Sequence, residues 1–278
     1  MEYKEGYFNS VRDAKIYYQA WLPEKDAKAV ILIVHGLGEH SGRYENVVNH
    51  FVPLGYAVYG FDLIGHGKSE GEREFVKQFE DYTKILEEYI GMVKSWQEDQ
   101  QLFLLGHSIG ATIIIYYLLD HPQNFPGVVI SAPTILIPRG TTQMTIATAK
   151  VLSKITPKFG MMHLDPNGVS SDPHVVNDYI NDPLVFHGKT PVRFMAETLR
   201  AILRINDEFE NLTQPLLVVS GSEDVLADPD GSQLLFDNAS STDKKLMIYK
   251  GFHHEVFNEP GRTRVLSDVE GWLEDRLF

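Results

Sequence analysis

The sequence predicts an α/β fold, a mostly parallel central sheet flanked by helices and interrupted once by a helical insertion. Three observations lead there. Four short, continuous apolar runs, "AVILIVHG" (29–36), "YAVYGFDL" (56–63), "LFLLGHS" (102–108) and "GVVISAP" (127–133), read as strands buried on both faces. Helix-like stretches at 43–54, 77–99 and 109–121 separate them, and that alternation places the strands in parallel. The rhythm breaks from about 134 to 212, where only helical patches occur, and then resumes.

Taken in order, the segments at 3–8 and 14–22 are rich in Tyr, Phe and Ile and joined by "NSVRD", which reads as a β-hairpin edging the sheet. The four buried strands and their helices follow. The insertion holds "TTQMTIATAKVLSKI" and "PVRFMAETLRAILRINDEF", linked by Pro and Gly turns. Its Met144, Met161, Met162 and Met195 suit an adaptable apolar surface, so a lid over a substrate is expected in preference to a purely structural helical domain. Beyond it come "PLLVVSGSED" (215–224), a helix near 231–238, "KLMIYKGFHH" (245–254) and a closing amphipathic helix from 262. The expected division is a core of residues 1–133 and 213–278 with a cap of residues 134–212. No internal repeat and no long linker interrupts it.

Composition narrows the chemistry. Thirty-eight acidic against 25 basic side chains give a net charge of -13, which repels a phosphate backbone and anionic lipid headgroups alike, so nucleic acid is not expected as a partner. Cysteine is absent, so a disulfide framework, a thiolate nucleophile and a cysteine-held metal are excluded. The first residues, "MEYKEGYFNS", lack the basic start and apolar run of an export signal, and no apolar stretch approaches the roughly 20 residues of a membrane span. A cytoplasmic protein is expected.

The sharpest motif is Gly106-His107-Ser108-Ile109-Gly110, a GxSxG pattern joining a buried strand to a helix. Small residues two before and two after the serine permit a strained turn that holds its hydroxyl clear of the sheet. The plainer reading, a serine that merely caps the helix, does not account for both glycines. A serine hydroxyl needs a base, and the base needs an acid to orient it. Glu223 and Asp224 directly follow one late strand, and His253 and His254 follow another; the residues alone leave both pairs open. An oxyanion hole needs one amide from the residue after the nucleophile, Ile109, and a second from an earlier loop, for which Leu37 in "HGLGEHSGRY" is expected. "GHGKSEG" is not a phosphate-binding loop, because Asp62 stands where that loop requires glycine. Glu70 and Ser41 break the two near-matches to a dinucleotide fingerprint, and Asn258 replaces the second histidine of a zinc HExxH signature. Neither a cofactor nor a metal is expected.

Together these residues resemble the monoacylglycerol lipase and lysophospholipase group of the α/β-hydrolase fold. "HGLGEHSGRY", "FDLIGHGKSEGER", "FLLGHSIGA", "NDPL", "SGSED" and "YKGFHHEVFNEP" look like that group's successive signatures, in order over almost the whole chain. The resemblance implies Ser108 as nucleophile and Asp224 as acid. It implies His254 as base, because the group's catalytic histidine directly precedes the "E..NEP" stretch, here Glu255, Asn258, Glu259 and Pro260. It also implies the Leu37 and Ile109 amides as oxyanion hole, with Glu39 and Arg43 near a bound glycerol headgroup. The plainer reading of that last pair is a surface ion pair at a helix start. Ile109 and Ala111 stand where the group commonly has methionine and glycine, and Phe257 replaces a second histidine of the vertebrate enzymes.

The expected function is therefore that of a serine carboxylic ester hydrolase cleaving monoacylglycerol, or a similar single-chain lipid ester, to fatty acid and glycerol through an acyl-enzyme. A general carboxylesterase, a lysophospholipase and a thioesterase need similar walls, and a noncatalytic binding protein on the same fold is the more distant alternative. Transient contact of the cap with a membrane surface is expected; nucleic acid is not a partner.

Overall fold

The computed structural model describes residues 1–122, 125–137 and 140–277; residues 123, 124, 138, 139 and 278, which fall within the expected core and cap ranges, lie outside the described residues. The chain begins with the hairpin β1 (Glu2–Asn9) and β2 (Lys15–Leu22). It continues through β3 (Ala29–Val34), α1 (Glu45–Phe51), β4 (Tyr56–Phe61), α2 (Glu80–Trp96), β5 (Leu102–His107), α3 (Ile109–Asp120) and β6 (Val128–Ser131). Then come α4 (Gln143–Ile155), β7 (Gly160–Met162), α5 (Pro173–Asn181), β8 (Thr190–Pro191) and α6 (Val192–Asp207). The last elements are β9 (Leu216–Gly221), α7 (Asp230–Asn238), β10 (Lys244–Tyr249) and α8 (Arg262–Glu274).

Eight strands form one sheet in the order β1-β2-β4-β3-β5-β6-β9-β10. Only the β1–β2 and β2–β4 pairings are antiparallel; the rest are parallel. The continuous apolar runs follow from a sheet covered twice. In β3, Val30, Leu32 and Val34 pack with α2 and α3, while Ala29, Ile31 and Ile33 pack with α1 and α8. Every residue of β3, β4, β5, β6 and β9 is buried. With both faces apolar, side-chain alternation leaves no polar trace in the sequence.

From β3 the chain steps outward to β4 and then returns to the other side of β3 as β5. The loops leaving the carboxyl ends of β3 and β5 therefore diverge, and the crevice at such a switch point is where open α/β sheets bind ligands.

Between β6 and β9 the structure differs from expectation in two ways. A two-stranded ribbon, β7 against β8, lies apart from the main sheet, pairing Gly160 with Pro191 and Met162 with Thr190. Strands of three and two residues are too short to leave a periodic signal. The helix α5 also stands where none was read; Asp172 caps it by accepting from the His174 amide at 2.9 Å, and Pro173 opens its first turn.

Candidate active site

Ser108 sits at the turn from β5 into α3 with φ 54° and ψ -120°, outside the basins a non-glycine residue ordinarily adopts. Its amide is tied to the Ser131 carbonyl at 2.9 Å, and its own carbonyl accepts from the Thr112 amide at 3.2 Å. The flanking glycines are required by close approach: a Cβ on Gly106 would lie 2.7 Å from the Ala111 Cα, and one on Gly110 only 2.1 Å from the Val34 carbonyl oxygen. The second contact presses the start of α3 against the end of β3. The N-terminus of α3, whose first amides have no helical partner, thereby meets the loop that follows His35.

That loop is pinned from two sides. The Leu63 amide donates to His35 Nε2 at 2.8 Å, so Nδ1 carries the proton and donates to the Gly36 carbonyl at 2.7 Å. Burial pushes the His35 pKa down to about 3, which keeps this neutral tautomer. The Gly36 amide donates to Glu39 Oε1 at 2.6 Å. Because the peptide is trans, a Gly36 carbonyl held by His35 turns the Leu37 N–H the opposite way. The neighbouring Gly36 is close to the serine, since a Cβ built on it would lie 3.2 Å from Ser108 Cβ.

The two late loops bring in the remaining pair. Asp224 follows β9 and is buried; its Oδ1 accepts from the Leu226 and Ala227 amides, each at 2.9 Å, which leaves Oδ2 to face His254 Nδ1 at 2.7 Å. Glu223, the other acid open to sequence reasoning, is exposed. Burial opposes a charge on His254, but the Asp224 carboxylate outweighs it and the pKa lies above the ordinary 6.5. His253 takes no part in this pair: its amide donates to Glu259 Oε1 at 3.1 Å, and its Nδ1 is buried without a partner. Among the described residues, the side chain in hydrogen-bonding range of Ser108 Oγ is Thr134, at 3.4 Å, rather than His254. Ser108 and His254 nevertheless line the same cavity.

Glu39 and Arg43 are not a surface pair. Both are nearly enclosed, 3.6 Å apart, and both Arg43 guanidinium nitrogens donate to Glu255, at 2.6 and 2.9 Å. Burial opposes the Arg43 charge, yet Glu255 and Glu39 hold its pKa above the ordinary value. The guanidinium lies 4.6 Å from the ring centre of Tyr179 on α5. Burial raises the Glu39 carboxyl, with Arg43 pulling against it, and Glu39 Oε1 also accepts from the Tyr44 hydroxyl at 2.9 Å. Glu39, Tyr179 and Glu255 share a narrow crevice with Ser108 and His254.

Sequence reasoning missed Tyr179, which no local pattern marks, and His107, whose ring lies 4.6 Å from that of His254. Burial, together with the neighbouring His254 and Arg43, holds the His107 pKa well below its ordinary value. Glu259 of "NEP" acquires a reason: it accepts from the Ser171 amide at 2.7 Å and from the Ser171 hydroxyl, tying the histidine loop to the segment before α5.

Ser108 also lines a cavity of about 680 Å³, overwhelmingly apolar. Met144, Met161, Met162 and Met195, the four methionines singled out in the sequence, all line it, with Leu37 and Ile109 at its inner end. The arrangement can present a hydroxyl to a carbonyl carbon with an imidazole in the same cavity, next to a narrow crevice that Glu39, Tyr179 and Glu255 help to line. Among the described residues no cluster of metal-ligating side chains occurs. No helix among them is long and apolar enough to cross a membrane.

Comparison with known proteins agrees with this geometry. Residues 25–261 match the hydrolase family described as serine aminopeptidase, S33. The chain is 36% identical over 277 residues to a monoacylglycerol lipase of Mycolicibacterium smegmatis, covering 98% of each chain. It is 34% identical over 264 residues to the human monoglyceride lipase, covering 94% of this chain and 87% of that one. Its fold superposes on the crystal structure of Paleococcus ferrophilus monoacylglycerol lipase with a TM-score of 0.81 at 32% identity, covering 99% of this chain and 100% of that one. The chain thus belongs to this α/β-hydrolase family, within its monoacylglycerol lipase group, and is a carboxylic ester hydrolase.

Proposed function

We propose that the enzyme cleaves monoacylglycerol to a fatty acid and glycerol through an acyl-enzyme on Ser108. The observation that carries this reading is the large apolar cavity that Ser108 and His254 line, which suits one long acyl chain; the narrow crevice they also line adds the polar groups of Glu39, Tyr179 and Glu255. Glu39 lines the crevice, and Arg43, its donors engaged by Glu255, fixes the crevice wall.

In the proposed reaction His254 takes the Ser108 proton as Oγ attacks the ester carbonyl carbon, and Asp224 orients the imidazole and stabilises its charge. For this Ser108 Oγ turns from Thr134 toward His254, a tightening that substrate binding commonly supplies. The Leu37 and Ile109 amides hold the oxyanion, each contributing about 3 kcal/mol. Collapse of the tetrahedral intermediate breaks the ester bond, and His254 protonates the departing glycerol. Water, deprotonated by the same histidine, then releases the fatty acid.

The segment between β6 and β9 acts in this reading as the lid. It exposes Ile155 and Phe159 outside the cavity lining, and every charged residue from 140 to 162 is a lysine: Lys150, Lys154 and Lys158, the last of them paired with Glu72. An exposed apolar face favours transient contact with a membrane surface. Turnover of monoacylglycerol, diacylglycerol, lysophosphatidylcholine and a short nitrophenyl ester tests the substrate class. Monoacylglycerol is expected to show the highest kcat/KM, and a clear preference for lysophosphatidylcholine or the short ester overturns the reading.

A further inference from the structure

Glu259 lies in the loop between β10 and α8, five residues after His254, and is only 1% exposed. No step of the proposed reaction uses it. Its carboxylate nevertheless gathers three donors: the His253 amide to Oε1 at 3.1 Å, the Ser171 amide to the same oxygen at 2.7 Å, and the Ser171 hydroxyl to Oε2. One side chain therefore holds both the backbone just before the base and the segment just before α5.

The backbone hydrogen bonds of the histidine loop change partner at this point. At Phe252 the loop leans on the loop that carries the acid, whose Glu223 amide donates to the Phe252 carbonyl at 2.9 Å. From His253 onward the inserted segment takes over. The His254 amide points at the Gly168 carbonyl at 3.5 Å, and the Glu255 amide donates to the Val169 carbonyl at 2.8 Å. Successive amides at 253, 254 and 255 are thus met by Glu259, Gly168 and Val169.

The same short segment rests on the acid loop. A Cβ on Gly168 would stand 2.8 Å from Leu226 Cγ and 3.0 Å from Val225 Cγ2, so its backbone lies directly against both side chains. Val169 is buried with Tyr179 and Val185, and Leu226 packs onto that cluster. The Leu226 amide is one of the two that hold Asp224 Oδ1. Residues 168–171 form a strut between acid and base, and Glu259 fastens the base's end of it. A hydrogen bond weakens steeply with misalignment, so the Asp224–His254 pair needs that fastening.

We propose that Glu259 is a positioning residue: by clamping Ser171 to the His253 amide, it sets the His254 imidazole against Asp224. The inserted segment is then part of the catalytic frame as well as a cover. The inference rests on the proposed role of His254 as base. Acylation and deacylation both pass through that imidazole, so a misplaced ring slows both steps and lowers kcat with little change in KM.

The test measures kcat and KM on a soluble short-chain nitrophenyl ester for the wild type, Glu259→Ala, Glu259→Gln, Ser171→Ala and Ser108→Ala. Proton NMR of each protein follows the downfield resonance of the His254 Nδ1–H held by Asp224. Glu259→Ala releases all the donors. It is expected to lower kcat by about 30-fold with KM within about twofold, and to shift or broaden the resonance. Glu259→Gln keeps an oxygen for the two amides and has an NH2 to donate to the Ser171 hydroxyl; the resonance and kcat are expected to recover, the latter to within about threefold of the wild type. Ser171→Ala, at an exposed position, removes one bond of the clamp and is expected to cost about threefold in kcat with a smaller shift of the resonance. A side chain that only stabilised the fold would lower Tm while the folded variant kept its kcat and its resonance.

The clamp is overturned if folded Glu259→Ala keeps its kcat, if kcat falls with the resonance unmoved, or if Glu259→Gln is as slow as Glu259→Ala. Should Glu259→Ala not fold, Ser171→Ala decides, and an unchanged kcat or resonance there overturns the clamp. Turnover persisting in Ser108→Ala would instead overturn the reaction assigned to the serine, a separate failure.

Discussion

His254 lives between two opposing demands: burial disfavours its charge, and a carboxylate 2.7 Å away favours it. The carboxylate wins, so the imidazolium persists to a pH above 6.5 and the neutral base is lost as pH falls through that raised value. Esterase activity is therefore expected to drop on the acid side with a midpoint above that of a free histidine. Asp224→Asn should move this midpoint down and cut kcat by about 10⁴-fold, because the amide also favours the wrong tautomer; a pH–rate series on both proteins checks it. The adjacent histidines are expected to differ sharply. His254→Ala should abolish turnover, whereas His253→Ala, whose ring has no part in the Asp224 pair, should only weaken it. At this scale the sequence was legible where a residue's role is local. GxSxG placed Ser108 because the turn itself demands the glycines. The choice between His253 and His254 was open to spacing alone, since which ring reaches Asp224 depends on loops that close only in three dimensions. The Arg43 partner was equally hidden: Glu255 lies more than two hundred positions away in the chain, so an apparent surface pair is a buried network.

Among the elements, the junction of α3 with β3 is the tightest. Gly110→Ala places a methyl group against backbone oxygens that cannot rotate away. It should cost about 3 kcal/mol or more, lowering Tm by about 10 °C, with thermal unfolding as the readout. The strands that became β3, β4, β5, β6 and β9 were readable because burial on both faces makes them continuously apolar. α4 and α6 were readable too, but α5 was passed over despite its Asp-Pro start, and the β7–β8 ribbon was invisible because its few residues pair only through tertiary contact. The exposed end of α4 and the turn that follows it carry a prediction of their own. Ile155 and Phe159 are strongly exposed and stand outside the cavity lining. Replacing both with Asp should reduce binding to phosphatidylcholine vesicles in a sedimentation assay by about tenfold, while hydrolysis of a soluble ester stays unchanged. Equal binding by the double variant would contradict the proposed membrane contact.

For the whole molecule, topology explains why residues scattered from Leu37 to His254 converge. The loops after β3, β5, β9 and β10 all leave the same end of a parallel sheet, and the divergence between β3 and β5 opens the crevice they share. The segment between β6 and β9 closes that end with methionine-rich walls, turning an exposed serine into one that faces an apolar cavity. The order of strands and the motifs at their ends were legible in the chain; the depth of the cavity was not, because it depends on how the inserted helices settle on the core. The central claim is that Ser108 carries the acyl group. Monoacylglycerol hydrolysis by Ser108→Ala, shown by circular dichroism to be folded, tests it most directly beside the wild type. Loss of about 10⁶-fold, to the background rate, is the predicted result; hydrolysis within tenfold of the wild type would contradict it.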